Sequence, residues 1–596
     1  MNDGTQSRWR WKVALLVGFG LLAVLWVSFF VFWPRQAFGP KYADVCRKLL
    51  ALNPIQVNVS PNGRFLLAKT RSENGFTVSI LDRFGHSVKH FDSSDSQLSL
   101  TWCPNSKDIL YLADRGGDRN YRLFEYHLDT GSSEDLAAPA IHTAALPIRI
   151  SQDGRRVVLP TGDANRVILA TCSLGLPRVQ WTKIGAVSQE SDFKVSPDGK
   201  NVAFVPYRVE GALEVRSLAD PKLRPVKIEV CPKGQVHDLA WSPDASLILC
   251  TARAYAEEYF GLIKVVVATR RSVSLVALPA DIERPWFVSG ASQILFHVNR
   301  GGLSQVALRE SRAKIKIISP DGCSTNVLRI SQSGAITCLI APTRSTPYLA
   351  DLDIRGQASR FLPNLNVGAV NIPPPQDLVI PRAGTTPTHA YVWRPRGNLR
   401  KRSGEAVIYV HGGPHLQESP VWNERTCLLL NRGFTVAVVN YRGSTGYGRD
   451  YERAEDINGQ AGDIVATADY IVSKLGIEAR AITLVGESSG SIVAIRALSA
   501  FSKRVKGIVL ISPSDLSDEH VEPSLVPRFV LAYQGENDPL CIKAPVKNSL
   551  SRCMGADAVN NLRTKVKVFE SEGHQLRRIR SWATVYSDLL VAASST

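Results

Sequence analysis

The run Gly486-Glu487-Ser488-Ser489-Gly490 sets a serine between two glycines, where a strand reading (Ile482 to Val485) gives way to an apolar helix reading opened by Ile492, Val493 and Ile495. A serine hydroxyl attacks well only when it is held exposed on a sharp turn, beside a base and a pair of N–H donors. The flanking glycines allow such a turn, because a Cβ at either place would run into the strand or helix packed on it. By itself the spacing is weak, arising by chance in roughly one chain of this length in four or five. Its meaning depends on whether an acid and a base stand downstream in the right places.

They do, and in a telling order. An apolar strand reading, Phe529 to Tyr533, ends in the loop GENDP, which carries Asp538. An alternating strand reading, Lys565 to Phe569, ends in EGHQL, which carries His574. Serine, acid, then histidine, each just past the C-terminal end of a strand, is the chain order of an α/β-hydrolase. At the carboxyl edge of an open parallel sheet these side chains converge on one crevice. There His574 would take the Ser488 proton, while Asp538 would hold the imidazole tautomer and stabilise the imidazolium. Glu536 and Asn537 are alternative acids in the same loop. His520 is the alternative base, although no strand precedes it.

The oxyanion donors should come from the first strand and loop of the same domain. GEAVIYVHGGPH supplies a strand from Ala406 to Val410, then two consecutive glycines whose N–H groups can approach a substrate oxygen closely. The Gly413 N–H, with the N–H of Ser489 just after the nucleophile, is the expected pair; a plain Pro-Gly turn is the alternative.

The runs HGGPH, VVNYRGSTGYGRDY (Val438 to Tyr451), GESSG, GENDP and EGHQL together resemble the prolyl oligopeptidase family of serine peptidases, in its acylaminoacyl-peptidase and dipeptidyl-aminopeptidase branch. The resemblance implies a triad of Ser488, Asp538 and His574, with His411 and Tyr441 as candidate substrate-binding residues. It also implies a β-propeller upstream that covers the crevice and admits only short, flexible peptides. Glu257 and Glu258 would then be candidates for holding a peptide N-terminus, a solvated face being the alternative. Two departures stand out. Ser491 replaces a usual second glycine, and the stretch between Ile511 and Phe529, which in the family helps shape the substrate pocket, is short.

The elements that must position this chemistry can be read independently. A turn of the S-P-D-G kind, followed by an apolar strand, begins at Ser60, Cys103, Ser151, Ser196, Ser242, Ser289 and Ser331. A spacing of 42 to 48 residues with short strands between marks four-stranded propeller blades. The Asp/Asn-Gly pairs supply the φ > 0 positions of hairpin turns. Seven starts predict seven blades, the last two being degenerate enough to leave six or eight open.

The expected order is thus a short cytoplasmic tail (1–12), a transmembrane anchor (13–33), a linker with an amphipathic helix (34–54), an all-β seven-bladed propeller (55–373), and a C-terminal α/β-hydrolase domain (374–596) with a mostly parallel doubly wound sheet. The anchor reading rests on 21 uncharged residues from Val13 to Trp33, fourteen of them Leu, Val or Phe. Inserting those into hydrocarbon gains at most about 4 to 8 kcal/mol. A cleavable signal peptide is the rival, but the run is long for one and lacks a clear small-x-small site. A large C-terminal domain translocates whatever its charge, so the catalytic half is expected to be periplasmic or extracellular.

A net charge of +17 fits proximity to an anionic membrane surface. The lysines and arginines are scattered, with no basic run beyond Arg394 to Arg402, so nucleic acid is not an expected partner. Ten cysteines stand singly without metal-ligand spacing, Cys541 and Cys553 being the only pair close enough in sequence for a disulfide. No phosphate loop or metal motif occurs, and no cofactor is expected. The sequence thus predicts a membrane-anchored serine peptidase of short peptides working through an acyl-enzyme, with self-association left open. A carboxylesterase-like hydrolase and an inactive scaffold are the alternatives.

Overall fold

The computed structural model describes residues 56–594, apart from internal stretches of which 115–120, 142–146, 363–370, 398–403 and 539–545 are the longest. The apolar run 13–33 and the amphipathic helix reading at 40–54 lie outside the described residues. Among the described residues no helix is long and apolar enough to cross a membrane.

Residues 56–362 form seven four-stranded antiparallel sheets, each built from consecutive strands. In the first, Gln56–Val59, Phe65–Arg71, Phe76–Asp82 and Ser87–Ser93 run in order. The repeated turn joins the first strand of a blade to the second, and its chemistry recurs. The hydroxyls of Ser151, Ser196 and Ser242 each donate to an aspartate two residues on. Each also accepts the N–H of the residue that opens the second strand. Gly154 and Gly199 supply φ near +70°; Ser106 and Ala245 adopt φ +57° and +59° at the same place, which glycine would do without strain. The sixth turn, at Ser289, lies outside the described residues.

Apolar residues alternate along the strands, so each blade buries one face on its predecessor and the other on its successor. Leu249, Ile282, Ile294 and Phe296, for example, fill the space between the fifth and sixth blades. The ring closes where Leu349 of the seventh blade packs on Val57 and Leu66 of the first, and Arg329 Nε donates to the Pro61 carbonyl at 3.0 Å.

The C-terminal half is an eight-stranded sheet. Its strands are β1 (Gln376–Ile380), β2 (Thr388–Trp393), β3 (Ala406–Val410), β4 (Thr435–Asn440), β5 (Ile482–Glu487), β6 (Gly507–Ile511), β7 (Phe529–Gly535) and β8 (Arg563–Phe569). Their order is β1-β2-β4-β3-β5-β6-β7-β8. The strands from β4 to β8 run parallel to their neighbours, and β1–β2 and β2–β4 pair antiparallel. The strand Ala406–Val410 is therefore third in the domain, not first. The hairpin ahead of it carries polar, half-exposed residues on β1 and so lacks the buried signature of a central strand.

Helices cover both faces: α1 (Glu424–Asn431), α2 (Arg449–Glu452), α3 (Ile457–Leu475), α4 (Gly490–Phe501), α5 (Val546–Met554), α6 (Ala556–Asn561) and α7 (Ile579–Ser594). Ala406, Ile408 and Val410 of β3 pack under α3 and α4, while Val407 and Tyr409 face α1 and α7. That two-sided burial explains why β3, β4, β6 and β7 are buried along their whole length. The helix α3 begins on Asp456, whose side chain accepts the Asn458 and Gly459 N–H groups, and ends on Gly476 at φ +69°.

Ion pairs and hydrogen bonds join the propeller to the hydrolase. Arg253 of the fifth blade pairs with Glu452 of α2 at 2.8 Å, the Ile579 N–H reaches the Ser72 carbonyl at 2.9 Å, and the Trp422 N–H reaches Pro342 at 3.0 Å. Glu258 accepts the Asp450 N–H on its carboxylate and the Arg449 N–H on its carbonyl, while Glu257 accepts the Ala254 N–H. Both glutamates thus hold backbone, one of them across the domain boundary. Cys553 is a buried free thiol; Cys541 lies outside the described residues.

Candidate active site

Ser488 sits at the tip of the turn from β5 into α4, at φ +52°. That conformation costs a serine on the order of 1 kcal/mol or more. The surroundings hold it there: the Ser488 N–H donates to Ile511 O at 3.0 Å, and the Ser491 N–H donates to Ser488 O at 3.0 Å. The two motif glycines are required by contact. A Cβ on Gly486 would lie 2.7 Å from Ser491 Cα, and one on Gly490 would lie 2.3 Å from the His411 carbonyl. Ser491, in place of a further glycine, is buried and donates to Gly486 O at 3.2 Å.

His574 Nε2 lies 2.9 Å from Ser488 Oγ, and His574 Nδ1 lies 2.9 Å from Asp538 Oδ2. Asp538 is fully buried. Of its two rivals, Glu536 is engaged elsewhere, accepting the Ser571 N–H at 2.9 Å, and Asn537 is an uncharged amide. His520 is largely exposed and faces Glu522 at 3.7 Å. The histidine loop is held against β7, where a Cβ on Gly535 would strike the Gly573 and Glu572 carbonyls. Buried Glu572 fastens that loop by accepting the Arg577 and Arg578 N–H groups and the Ser581 hydroxyl.

The loop after β3 crosses directly over the serine. A Cβ on Gly412 would sit 3.0 Å from Ser488 Cβ. Of the two expected oxyanion donors, the Ser489 N–H lies at the N-terminus of α4 and has no acceptor among the described residues. The Gly413 N–H does have one: it donates to Ser489 Oγ at 2.8 Å, and that hydroxyl donates back to Gly413 O at 2.8 Å. His411 and Tyr441 are placed beneath the loop and not on the crevice wall. Both are buried, their rings stack at 4.5 Å, Tyr441 Oη donates to His411 O at 2.9 Å, and His411 Nε2 meets Ser444 Oγ at 3.0 Å. Burial holds the His411 imidazole below its ordinary pKa and pushes the Tyr441 phenol well above its own.

Other residues that position the site have weaker signals in the sequence. Asp463, on the buried side of α3, accepts from the Arg442 backbone, Nε and Nη2, from Arg382 and from Thr388, all within 3.1 Å. It thereby fixes the NYRGSTGYG segment against β2. An acid beside the apolar series Ala461, Ile464, Ala468 and Ile471 is the only hint of it in the chain.

Between the two domains lies a cavity of about 550 Å³. Phe260, Asp281 and Glu283 line it from the propeller, with His415, Thr445 and Glu452 from the hydrolase. His415 is two residues beyond Gly413, so the cavity adjoins the loop that carries this expected oxyanion donor. Burial pushes the Asp281 and Glu283 carboxyls up from the usual range. A grouping of metal-ligand atoms, Asp108, Glu125 and His127, lies on the second blade, where Asp108 already pairs with His127 at 2.9 Å.

Similarity to known proteins extends over both halves of the chain. The family model for the alpha/beta hydrolase fold matches residues 405–549. The dipeptidyl aminopeptidase BIII of Pseudoxanthomonas mexicana is 23% identical over 519 residues, which cover 79% of this chain and 72% of the relative. The acylamino-acid-releasing enzyme of Sus scrofa is 27% identical over 146 residues, 24% of this chain and 20% of the relative. Among solved structures, a puromycin-hydrolyzing peptidase of Mycobacterium tuberculosis superposes with a TM-score of 0.72 at 16% identity, over 93% of this chain and 95% of that one. An acylaminoacyl peptidase of Pyrococcus horikoshii gives 0.62 at 13% identity, over 90% and 95%. With these relatives, and with a propeller ahead of an α/β-hydrolase half, the chain is a serine hydrolase similar to the prolyl oligopeptidase family.

Proposed function

We propose that this chain is a serine peptidase that cleaves short peptides through an acyl-enzyme on Ser488. The carrying observation is the unbroken relay Asp538–His574–Ser488, with both steps at 2.9 Å. In the first step Ser488 Oγ bonds to the scissile carbonyl carbon and His574 Nε2 takes its proton. The carbonyl electrons pass to an oxyanion facing the Ser489 and Gly413 N–H groups. As the C–N bond breaks, His574 returns the proton to the leaving amine. A water molecule, deprotonated by His574, then adds to the ester carbonyl; the bond to Ser488 Oγ breaks, His574 returns the proton to Oγ, and the acid leaves. Asp538 keeps the imidazole oriented and offsets its transient positive charge.

The cavity beside His415 supports peptides over large proteins, since a substrate must lie between propeller and hydrolase to reach Ser488. The names of the relatives, aminopeptidase and acylamino-acid-releasing enzyme, favour the same class. A second reading, ester hydrolysis, is favoured by the compact segment 512–528. Its only helical turn is Pro523–Leu525, so it builds little pocket wall. The uncharged run 13–33 supports anchorage of the domains to a membrane, on its periplasmic or extracellular side.

Turnover of acyl-aminoacyl anilides, free-amino dipeptide anilides and simple esters, compared with a Ser488→Ala control, tests the proposal. Peptide-bond cleavage that vanishes in the control is expected, and turnover of esters alone would overturn it. Retention of the full chain in membranes after carbonate washing, with release of a chain lacking residues 1–34, is the outcome expected for the anchor. Release of both would refute it.

A further inference from the structure

Acyl transfer uses Ser489 only through its backbone, yet its side chain holds a definite place. Ser489 occupies the N-cap position of α4, where a serine hydroxyl ordinarily accepts an N–H from the first helical turn. It makes no such bond. Its hydroxyl turns instead to the loop after β3, accepting the Gly413 N–H and donating to the Gly413 carbonyl, both at 2.8 Å. The acceptor position on Gly413 that a substrate oxygen would need is therefore taken by the enzyme's own oxygen.

We propose that Ser489 Oγ is a resident stand-in for the oxyanion, which must rotate off the Gly413 N–H before that donor can serve the reaction. This rests on the reading of Ser488 as nucleophile. A single N–H bonds one strong acceptor at 2.8 Å, so hydroxyl and substrate oxygen compete for it. A ground-state carbonyl is no better an acceptor than the hydroxyl and displaces it poorly. The developing oxyanion forms a charge-assisted bond roughly twice as strong as a neutral one, and wins. The exchange therefore falls in the transition state, and its cost appears in kcat and not in KM. The loop keeps its aim when the hydroxyl leaves, because Tyr441 Oη still holds His411 O at 2.9 Å from beneath.

The test compares wild type with Ser489→Ala and Ser489→Gly, two variants that remove the hydroxyl with different demands on the backbone. For each, the rate of fluorophosphonate labelling, kcat and KM on an N-acetyl-aminoacyl anilide, and Tm are measured. Freed of the competing acceptor, the folded variants should label faster and show kcat raised about two- to tenfold, the range of one net hydrogen bond, with KM within about twofold. Rates equal to or below wild type in both variants, while wild type labels normally, would overturn the proposal and make the hydroxyl a support for the loop. A wild type that takes no label would instead remove the nucleophile reading on which the proposal stands.

Discussion

Replacing Gly490 by alanine should damage catalysis from a position that touches no substrate. The added Cβ would lie 2.3 Å from His411 O, 2.5 Å from Val410 O and 2.9 Å from His411 C. All three are backbone atoms, so no flexible side chain can yield. To open the closest contact to 3.0 Å, the end of β3 must retreat by about 0.7 Å. That segment leads within two residues to the Gly413 amide, and its carbonyl anchors the Tyr441 hydroxyl. Misplacing a catalytic group by about 1 Å costs on the order of 10²-fold in rate. The overpacking itself costs about 1–3 kcal/mol of stability. Steady-state kinetics should therefore show kcat reduced roughly ten- to a hundredfold with a lowered Tm. Ile340→Val, in the core between the sixth and seventh blades, loses about 0.5–1.5 kcal/mol and should keep full activity, which separates misalignment from general loosening. Activity within about twofold of wild type in Gly490→Ala would refute the claim that α4 sets the oxyanion loop.

Asp538→Asn keeps the shape of the acid but removes the charge facing His574, and kcat should fall about 10³- to 10⁴-fold; a loss under tenfold would argue against its role. Lys69 is buried near Arg71 and Arg577, and burial first, then those cations, lowers its pKa to about 7. Its charge therefore opposes folding fully below pH 7, and the penalty fades as pH rises toward 10.5, because the unfolded chain binds the extra proton in that window. In urea titrations Lys69→Met should stabilise the protein at about pH 6, by a few kcal/mol at most since the Phe76 ring lies 4.0 Å from the ammonium, and much less at about pH 10. An equal gain at both pH values would contradict the assignment. Asp463→Ala strands the buried Arg442 guanidinium and should cost about 3–5 kcal/mol in denaturant unfolding, a loss under about 1 kcal/mol being the adverse result.

The parts legible in the sequence are those whose physics is local. A serine hydroxyl bonded two residues ahead makes its own turn, so Ser151-Gln152-Asp153-Gly154 announces a blade wherever it occurs. The motif Gly486-x-Ser488-x-Gly490 is readable because its spacing is compact, although the contacts that require its glycines include the end of β3. What stayed hidden depends on pairs far apart in the chain. Glu258 lies 192 residues from the Asp450 N–H that it holds, and a run of two glutamates reads equally as a solvated face. Ser489 was legible as a backbone donor, but its hydroxyl is aimed at a residue 76 positions away. His411 and Tyr441 stand in motifs that border the crevice, yet the stack between them is a tertiary contact that turns both inward. The edge strand β1 escaped because it lacks the continuous apolar run by which β3 and β4 declare themselves.

Every catalytic proposal for this chain turns on Ser488 as the nucleophile that forms the covalent bond. Peptide mapping by mass spectrometry of the fluorophosphonate-treated full chain tests this most directly. One adduct on the peptide carrying Ser488 is predicted in wild type, with none in Ser488→Ala and slow, incomplete labelling in His574→Ala. An adduct that persists in Ser488→Ala, or a folded wild type left unmodified, would contradict it.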